Sequence, residues 1–353
     1  MKNSLKDLKF WIGIVLSAFF LWLSLRNVHW PDVWQAFSDI DYIYLIPSAL
    51  LILLADYIRA IRWQYLLLEI KKIKVYQLFS IIMISQFLLQ VLPARIGEII
   101  RAYLVGKKYS ISKTASFSSI VVERIFDGTF VMIVFAISLY AYPGNLEMSI
   151  PGAPDFSLKR IIIVFTAIYV LALCVLLLLK CFPIVSAKVV GCLLHFFPTV
   201  VKNKAMNLLN DFISGLTIFH NIRNLLISMA TTVVIWLLAT CSYYVALMAF
   251  NIQAPFYFSF ILLGFIIIAV MIPAAPGFVG VFHFVVQVTL QKFFNTPPAV
   301  ALSFAWAIWF SGMFISVVPG LYYFNQYHLH MKNLKEEEAQ LDFNKVPETG
   351  VPD

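Results

Sequence analysis

Leu92-Pro93-Ala94-Arg95-Ile96-Gly97-Glu98 and Ile272-Pro273-Ala274-Ala275-Pro276-Gly277 are the two stretches on which the fold turns. Each closes an apolar run, 75–92 in the first case and 256–272 in the second. Each is followed by a further helical piece, 96–108 and 278–293. Crossing a bilayer takes about 20 apolar residues, and these runs stop short of that at a proline. Proline inside a helix costs a hydrogen bond and clashes with the preceding turn, and it biases the residue before it toward extended backbone. The pattern predicts two hairpins that enter the bilayer and turn back.

The 353-residue chain around them is 61% hydrophobic and 12% charged, against about 45–50% and about 25% in a soluble domain. Mean hydropathy is +0.86. That much apolar surface excludes a soluble enzyme, a nucleic-acid-binding domain and a disordered chain. The apolar runs do not alternate with polar residues, so the spanning structure is helical and not a β-barrel. Spans are predicted at 10–28, 42–68, 117–141, 161–180, 224–250 and 299–324. Lys2, Lys6 and Lys9 precede the first span. No small-x-small cleavage site follows it, so it reads as a retained helix. The expected fold is an all-α polytopic membrane protein, with these spans and two re-entrant helical hairpins. Cys174, Cys181, Cys192 and Cys241 lie in or beside apolar runs with no CxxC pair, and read as small hydrophobes.

Charge decides the sides. Formal net charge is +8, from 26 Lys and Arg against 18 Asp and Glu. If both hairpins return to their side of origin, the cytoplasmic side collects every Lys and Arg except Arg26, Lys159, Arg160 and Lys292. If 75–92 crossed, Arg95, Arg101, Lys107, Lys108 and Lys113 would lie outside and every later span would invert. Basic loops stay cytoplasmic, which favours the hairpins, with both termini inside a cell (plasma or inner) membrane. A repeat then emerges, unit 42–141 and unit 224–324, in opposite sense. Position 42 to Pro93 is 51 residues, and position 224 to Pro273 is 49. Inverted repeats around broken helices are a transporter pattern. The membrane domain takes 1–331. Residues 143–158 form an outer Pro/Gly loop, 182–222 hold one or two amphipathic surface helices, and 332–353 form a disordered acidic tail.

Ionisable residues at membrane depth are costly and mark function. Asp56, Arg59 and Arg62, with Trp63, can share one face of helix 42–68; snorkelling to the interface is the plain reading for Arg62. Arg95, Glu98 and Arg101 stack on one face of the piece after Pro93. Arginine there suits phosphate, because its planar fork binds two oxygens at once, and Glu98 would orient the arginines. Glu123, Arg124 and Asp127 lie at the start of helix 117–141 and could pair across the bundle. Whether these clusters bind substrate or only lock the fold stays open. The second hairpin is nearly uncharged. Pro273, Pro276, Gly277 and Gly280 allow a tight break, as Pro93 and Gly97 do in the first, and His283 follows as a packing residue or a proton carrier.

The strings Pro93-x-Arg95-x-Gly97-Glu98-x-x-Arg101, Glu123-Arg124-x-x-Asp127 and Pro273-x-x-Pro276-Gly277-x-x-Gly280, with Arg59-x-x-Arg62-Trp63 upstream, resemble the flippase-like transmembrane family of lysylphosphatidylglycerol synthases. The resemblance runs over residues 10–330. The family includes the membrane part of the multiple peptide resistance factor, implicated in moving aminoacylated phospholipid between leaflets. Other members are tied to glycolipid, hopanoid or polyprenyl-lipid export. The resemblance implies a lipid flippase, with the arginines on a phosphate-bearing headgroup and the two hairpins as gates. Two departures matter. No aminoacyl-transferase domain follows the last helix, so lysyl-lipid synthesis is not expected. His283 stands where the family often carries an acidic residue, so no role at that position is carried over.

The rival expectation is a multi-pass transferase on a lipid-linked donor, for which Asp39-x-Asp41 at the outer mouth is the candidate; helix capping is the plainer reading of that pair. An accessory scaffold for envelope-lipid synthesis is a third. No GxxxxGK[ST] occurs, and His29, His195, His220, His283, His328 and His330 are scattered. Neither ATP use, a metal nor a cofactor is expected. The partners expected are membrane lipids with an anionic headgroup, not nucleic acid; a second copy of the chain and envelope-biosynthesis proteins are further candidates.

Overall fold

The computed structural model describes residues 2–26, 28–92, 96–144, 182–193, 221–272 and 274–329, with scattered positions between 163 and 206. Among them the regular elements are all helices. In chain order these are α1 (Lys2–Leu25), α2 (Trp30–Ser38), α3 (Leu45–Leu67), α4 (Val75–Val91), α5 (Ile96–Tyr109), α6 (Lys113–Tyr140), α7 (Pro183–Leu193), α8 (Ile222–Ala249), α9 (Phe258–Met271), α10 (Val281–Phe293) and α11 (Pro298–Gln326), with 3-10 turns at Tyr42–Tyr44 and Pro276–Phe278. Tyr42–Leu67, α8 and α11 are each long and apolar enough to cross a membrane. Ile46, Leu50 and Leu54 on α3, and Phe310, Phe314 and Val318 on α11, stand exposed four residues apart. Such stripes suit a hydrocarbon solvent. Nine of the expected helical pieces, five spans and the four hairpin limbs, and both expected breaks have counterparts. Most of span 161–180, the acidic tail, and Pro93, Arg95 and Pro273 lie outside the described residues.

The breaks follow from local chemistry. Leu92 is extended (φ −104°, ψ 142°), and so is Ile272 (φ −71°, ψ 131°), as a following proline requires. After the first break Gly97 sits where a Cβ would overlap the Ser85 carbonyl, and Ser85 Oγ donates to the Gly97 carbonyl at 2.9 Å. α4 and α5 therefore lie against each other as a closed hairpin. Its limbs end side by side: Lys71 Nζ, ahead of α4, donates to the Tyr109 carbonyl at 2.6 Å. The second hairpin closes in the same way. Phe258, at the start of α9, has its ring 5.3 Å from that of Phe294, just past α10. Glu98 in the first turn of α5, with Lys107 and Lys108 in its last, also complements the helix dipole.

The packing between the two units is reciprocal. α3 lies on α8, α4 on α11, and α9 on α6. Gly320 lets α11 sit against Met83 and Phe87 of α4, and Gly264 lets α9 sit against Phe135 of α6. α3 and α8 run antiparallel along their length: Ser48 Oγ donates to the Ser242 carbonyl at 3.0 Å, Arg62 to Thr232 at 2.8 Å, and Asn224 to Glu69 at 2.8 Å. The hairpin tips meet, since a Cβ on Gly277 would lie 3.5 Å from Gln90 Oε1 at the end of α4. One core gathers Trp63, Leu66, Ile81, Met83, Leu88 and Val105; another gathers Leu262, Phe282, Val286, Leu290 and Phe304.

Helix α2 fills a stretch for which the sequence predicts no element. His29 precedes it with extended backbone, and Pro31 occupies its first turn, where a missing N–H costs nothing. Val33 and Ala36 are buried as α2 packs on α11. Asp41 does cap: its carboxylate accepts from the Ile43 N–H at 3.2 Å.

Candidate functional site

Three helices of the first unit and one of the second carry a buried ionic network. Helix periodicity puts Glu123 and Asp127 one turn apart on α6. Both face Arg62 of α3, which is wholly buried. Arg62 Nη1 and Nη2 donate to the two Asp127 oxygens at 2.6 and 3.1 Å, and Nη2 lies 3.0 Å from Glu123 Oε1. Arg101 of α5 grips Glu123 with both ends of its fork, at 3.2 and 2.9 Å. The Arg101 guanidinium also stacks 3.8 Å over the Trp63 ring, and Trp63 Nε1 donates to Ser119 at 2.9 Å. Burial without partners would be prohibitive for these groups, and the bidentate geometry supplies the partners. Snorkelling, the plain sequence reading of Arg62, is thus corrected. Once helix α3 turns Arg62 toward α6, two carboxylates offer more than distant water does.

The network has an open side. Arg124, next to Glu123 on α6, keeps 41% of its side chain exposed. It lies 3.2 Å from Glu123, 3.7 Å from Asp127 and 3.9 Å from Glu98. Glu98 keeps 21% exposure. Arg59 pairs with Asp56 one turn earlier on α3, and its side chain is 16% exposed. Gln86 of α4 donates to the same Asp56 at 3.3 Å. Four guanidiniums (Arg59, Arg62, Arg101, Arg124) meet four carboxylates (Asp56, Glu98, Glu123, Asp127), so the described cluster is balanced. The expectation that Glu98 orients the arginines of its own segment is corrected for Arg101, which goes to Glu123 while Glu98 faces Arg124; Arg95 lies outside the described residues.

Several contributors escaped the sequence reading. Thr232 and Trp236, one turn apart on α8, reach across from the second unit; Trp236 Nε1 donates to Asp127 at 2.9 Å. Their four-residue spacing is a signal only once α8 is known to face α6. Tyr169, from the predicted span 161–180, packs over Gly128 and donates to the Ile125 carbonyl at 2.5 Å.

At the second hairpin, Gly277 (φ +69°) and Gly280 (φ +85°) take left-handed backbone, which a side chain resists. Trp309 Nε1 donates to the Gly277 carbonyl at 2.7 Å. Helix α1 lies along this break. Ser17 Oγ accepts from the Ala275 N–H at 2.8 Å, a Cβ on Gly280 would strike the Ser17 carbonyl, and Ser24 donates to Gln287 at 2.6 Å. Pro276 opens the 3-10 turn. His283 is buried one turn into α10. Among the described residues no group of three His, Cys, Asp or Glu could hold a metal ion.

Comparison with known proteins agrees with this architecture. The chain is 31% identical over 116 residues to Glycosyltransferase AglD of Haloferax volcanii, covering 33% of this chain and 19% of that protein. The chain thus spans about a fifth of that relative. No solved structure matches. The family described as Lysylphosphatidylglycerol synthase TM region matches residues 10–320. With residues 10–320 of 353 inside that match, the chain belongs to the lysylphosphatidylglycerol synthase transmembrane-region family.

Proposed function

We propose that the protein is a lipid flippase or translocase of the cell membrane. It moves a lipid with a phosphate-bearing headgroup between leaflets, and it is not an enzyme. The observation that carries this reading is Arg124, a part-exposed guanidinium held among three carboxylates at the mouth of a buried network. The inner members hold that arginine's surroundings rigid. Arg124, with Arg59 beside the network, is left to meet a headgroup while acyl or prenyl chains stay in the bilayer.

The gates are two re-entrant hairpins in an inverted repeat. Antiparallel α3 and α8 support this. They run oppositely if 75–108 returns to its side of origin while α6 and 161–180 cross; a crossing at 75–92 would make them parallel. The reciprocal packing of α4 on α11 and α9 on α6 fits one unit rocking against the other, with both termini cytoplasmic.

The test is translocation in proteoliposomes, using labelled phosphatidylglycerol, a zwitterionic phospholipid and a polyprenyl phosphate, wild type beside Arg124→Gln. Movement of an anionic lipid, lost in the variant, is the expected result. Equal movement in both removes Arg124 from the headgroup site. A second reading, a lipid-linked transferase, draws on the name of the archaeal relative. Transfer of sugar from a nucleotide donor to polyprenyl phosphate by the same preparation would favour it.

A further inference from the structure

His283 is 0% exposed, yet neither Nδ1 nor Nε2 has a hydrogen-bond partner among the described residues. Its ring centroid lies 3.9 Å from that of Trp306 and 5.5 Å from that of Trp309, tilted by 47° and 50°. A buried polar group left unpaired bears its full desolvation penalty, which a phenylalanine in the same space would not incur. Such a group needs an explanation beyond packing.

The surroundings narrow it. From Phe10 on, α1 carries no Asp, Glu, Lys or Arg; nor do α9 and α11. On α10 the charged residue is Lys292, more than two turns away. On α2, behind α11, Asp32 is exposed and paired with His29 at 3.1 Å. Partly buried Tyr243 of α8 does not change charge in the physiological range. Within the second unit His283 is therefore the group that can.

Trp309 links this ring to the hairpin break, since the same indole that walls His283 donates to the Gly277 carbonyl. An imidazolium has two N–H donors and accepts nothing. Indole faces can hold its charge but give neither donor an acceptor. Acceptors come only if the break shifts against α11, freeing a carbonyl or admitting water. α1, seated on Gly280 through Ser17, holds the break in its closed form.

We propose that His283 is a proton-binding site that couples proton uptake to opening of the second hairpin, and so ties lipid movement to protons. The proton comes from water and returns to it. The link to lipid rests on the translocation reading above; the site itself does not.

The first measurement is tryptophan fluorescence of the protein in nanodiscs from about pH 8 to about pH 5, since a protonated imidazole quenches an indole in contact with it. A reversible quenching step is expected in wild type and in His29→Gln. It should vanish in His283→Gln and in His283→Phe, which keeps a ring in the space. A step of equal size in either His283 variant, with an unchanged size-exclusion profile, overturns the site. The second is maleimide labelling of Ala275→Cys in a cysteine-free background. At acid pH it should run several-fold faster with His283 than with Gln there; equal rates overturn the coupling. The third is movement of labelled phosphatidylglycerol with and without a pH gradient. A gradient response lost in His283→Gln supports coupling, and movement blind to the gradient overturns it. A quenching step without movement of any lipid counts against translocation and leaves the proton site standing.

Discussion

Glu123 shows how one residue can belong to two roles. Its carboxylate is fully buried and answers Arg62, Arg101 and Arg124 together. Removing one partner of a buried pair strands the other, at about 3–5 kcal/mol, and Glu123→Gln strands Arg101, while Arg62 keeps Asp127. The expected outcome is a large fall in the thermal midpoint of the purified protein. Arg124 is different, because at 41% exposure its pairs contribute about 0–1 kcal/mol. Arg124→Gln should leave the midpoint within a degree or two of wild type (about that, for a loss this small) while lipid movement falls at least about tenfold, the loss of one charge-assisted contact. Unfolding by both variants to the same extent would place Arg124 among the locking residues. The residue types were legible in the sequence; this division of labour was not. Arg59 and Arg62 are three apart on one helix, with nothing local to say that one stays near the surface and the other enters the core. That is set by Asp127, 65 residues on, and by Thr232, 170 residues on.

Among the elements, the breaks were the most readable because their cause is local. A proline biases the residue before it toward extended backbone, and Leu92 and Ile272 follow, though Pro47 and Pro319 are carried inside α3 and α11. α2 was unreadable for the opposite reason: nine residues hold too few periods, and its burial depends on α11. Close approach governs both hairpins. Gly97→Ala would drive a methyl into the Ser85 carbonyl and Leu89, and overpacking of this kind costs about 1–3 kcal/mol. A lowered thermal midpoint is expected, and Ser85→Ala should not restore it, because the clash is with backbone. Gly280→Val meets both a positive φ of 85° and the Ser17 carbonyl. It should loosen α1 from the second hairpin, read as faster protease cleavage near residue 27 in the detergent-solubilised protein. A cleavage rate equal to wild type would show that α1 is held elsewhere.

At the scale of the molecule, the sequence reading set the sides by counting Lys and Arg, and the structure changes what that count means. Arg59, Arg62, Arg101 and Arg124 are engaged by carboxylates within the helix bundle, so they say little about which side is cytoplasmic. The weight moves to exposed lysines such as Lys71, Lys72, Lys74, Lys107 and Lys108, which line the mouth of the first hairpin. The second hairpin opens beside Tyr142, whose ring lies 4.9 Å from Phe293, at the far end of α6. If α6 crosses the bilayer, the two mouths face opposite sides. Cysteines at Lys108 and Gln253, both exposed, test this in intact cells with an impermeant maleimide after the native cysteines are replaced. Gln253→Cys should label from outside and Lys108→Cys only after the cells are opened. Labelling of both from one side would make the hairpins open together. Reciprocal packing would then describe a symmetric bundle without alternating access, and lipid movement would need a route other than rocking of one unit against the other.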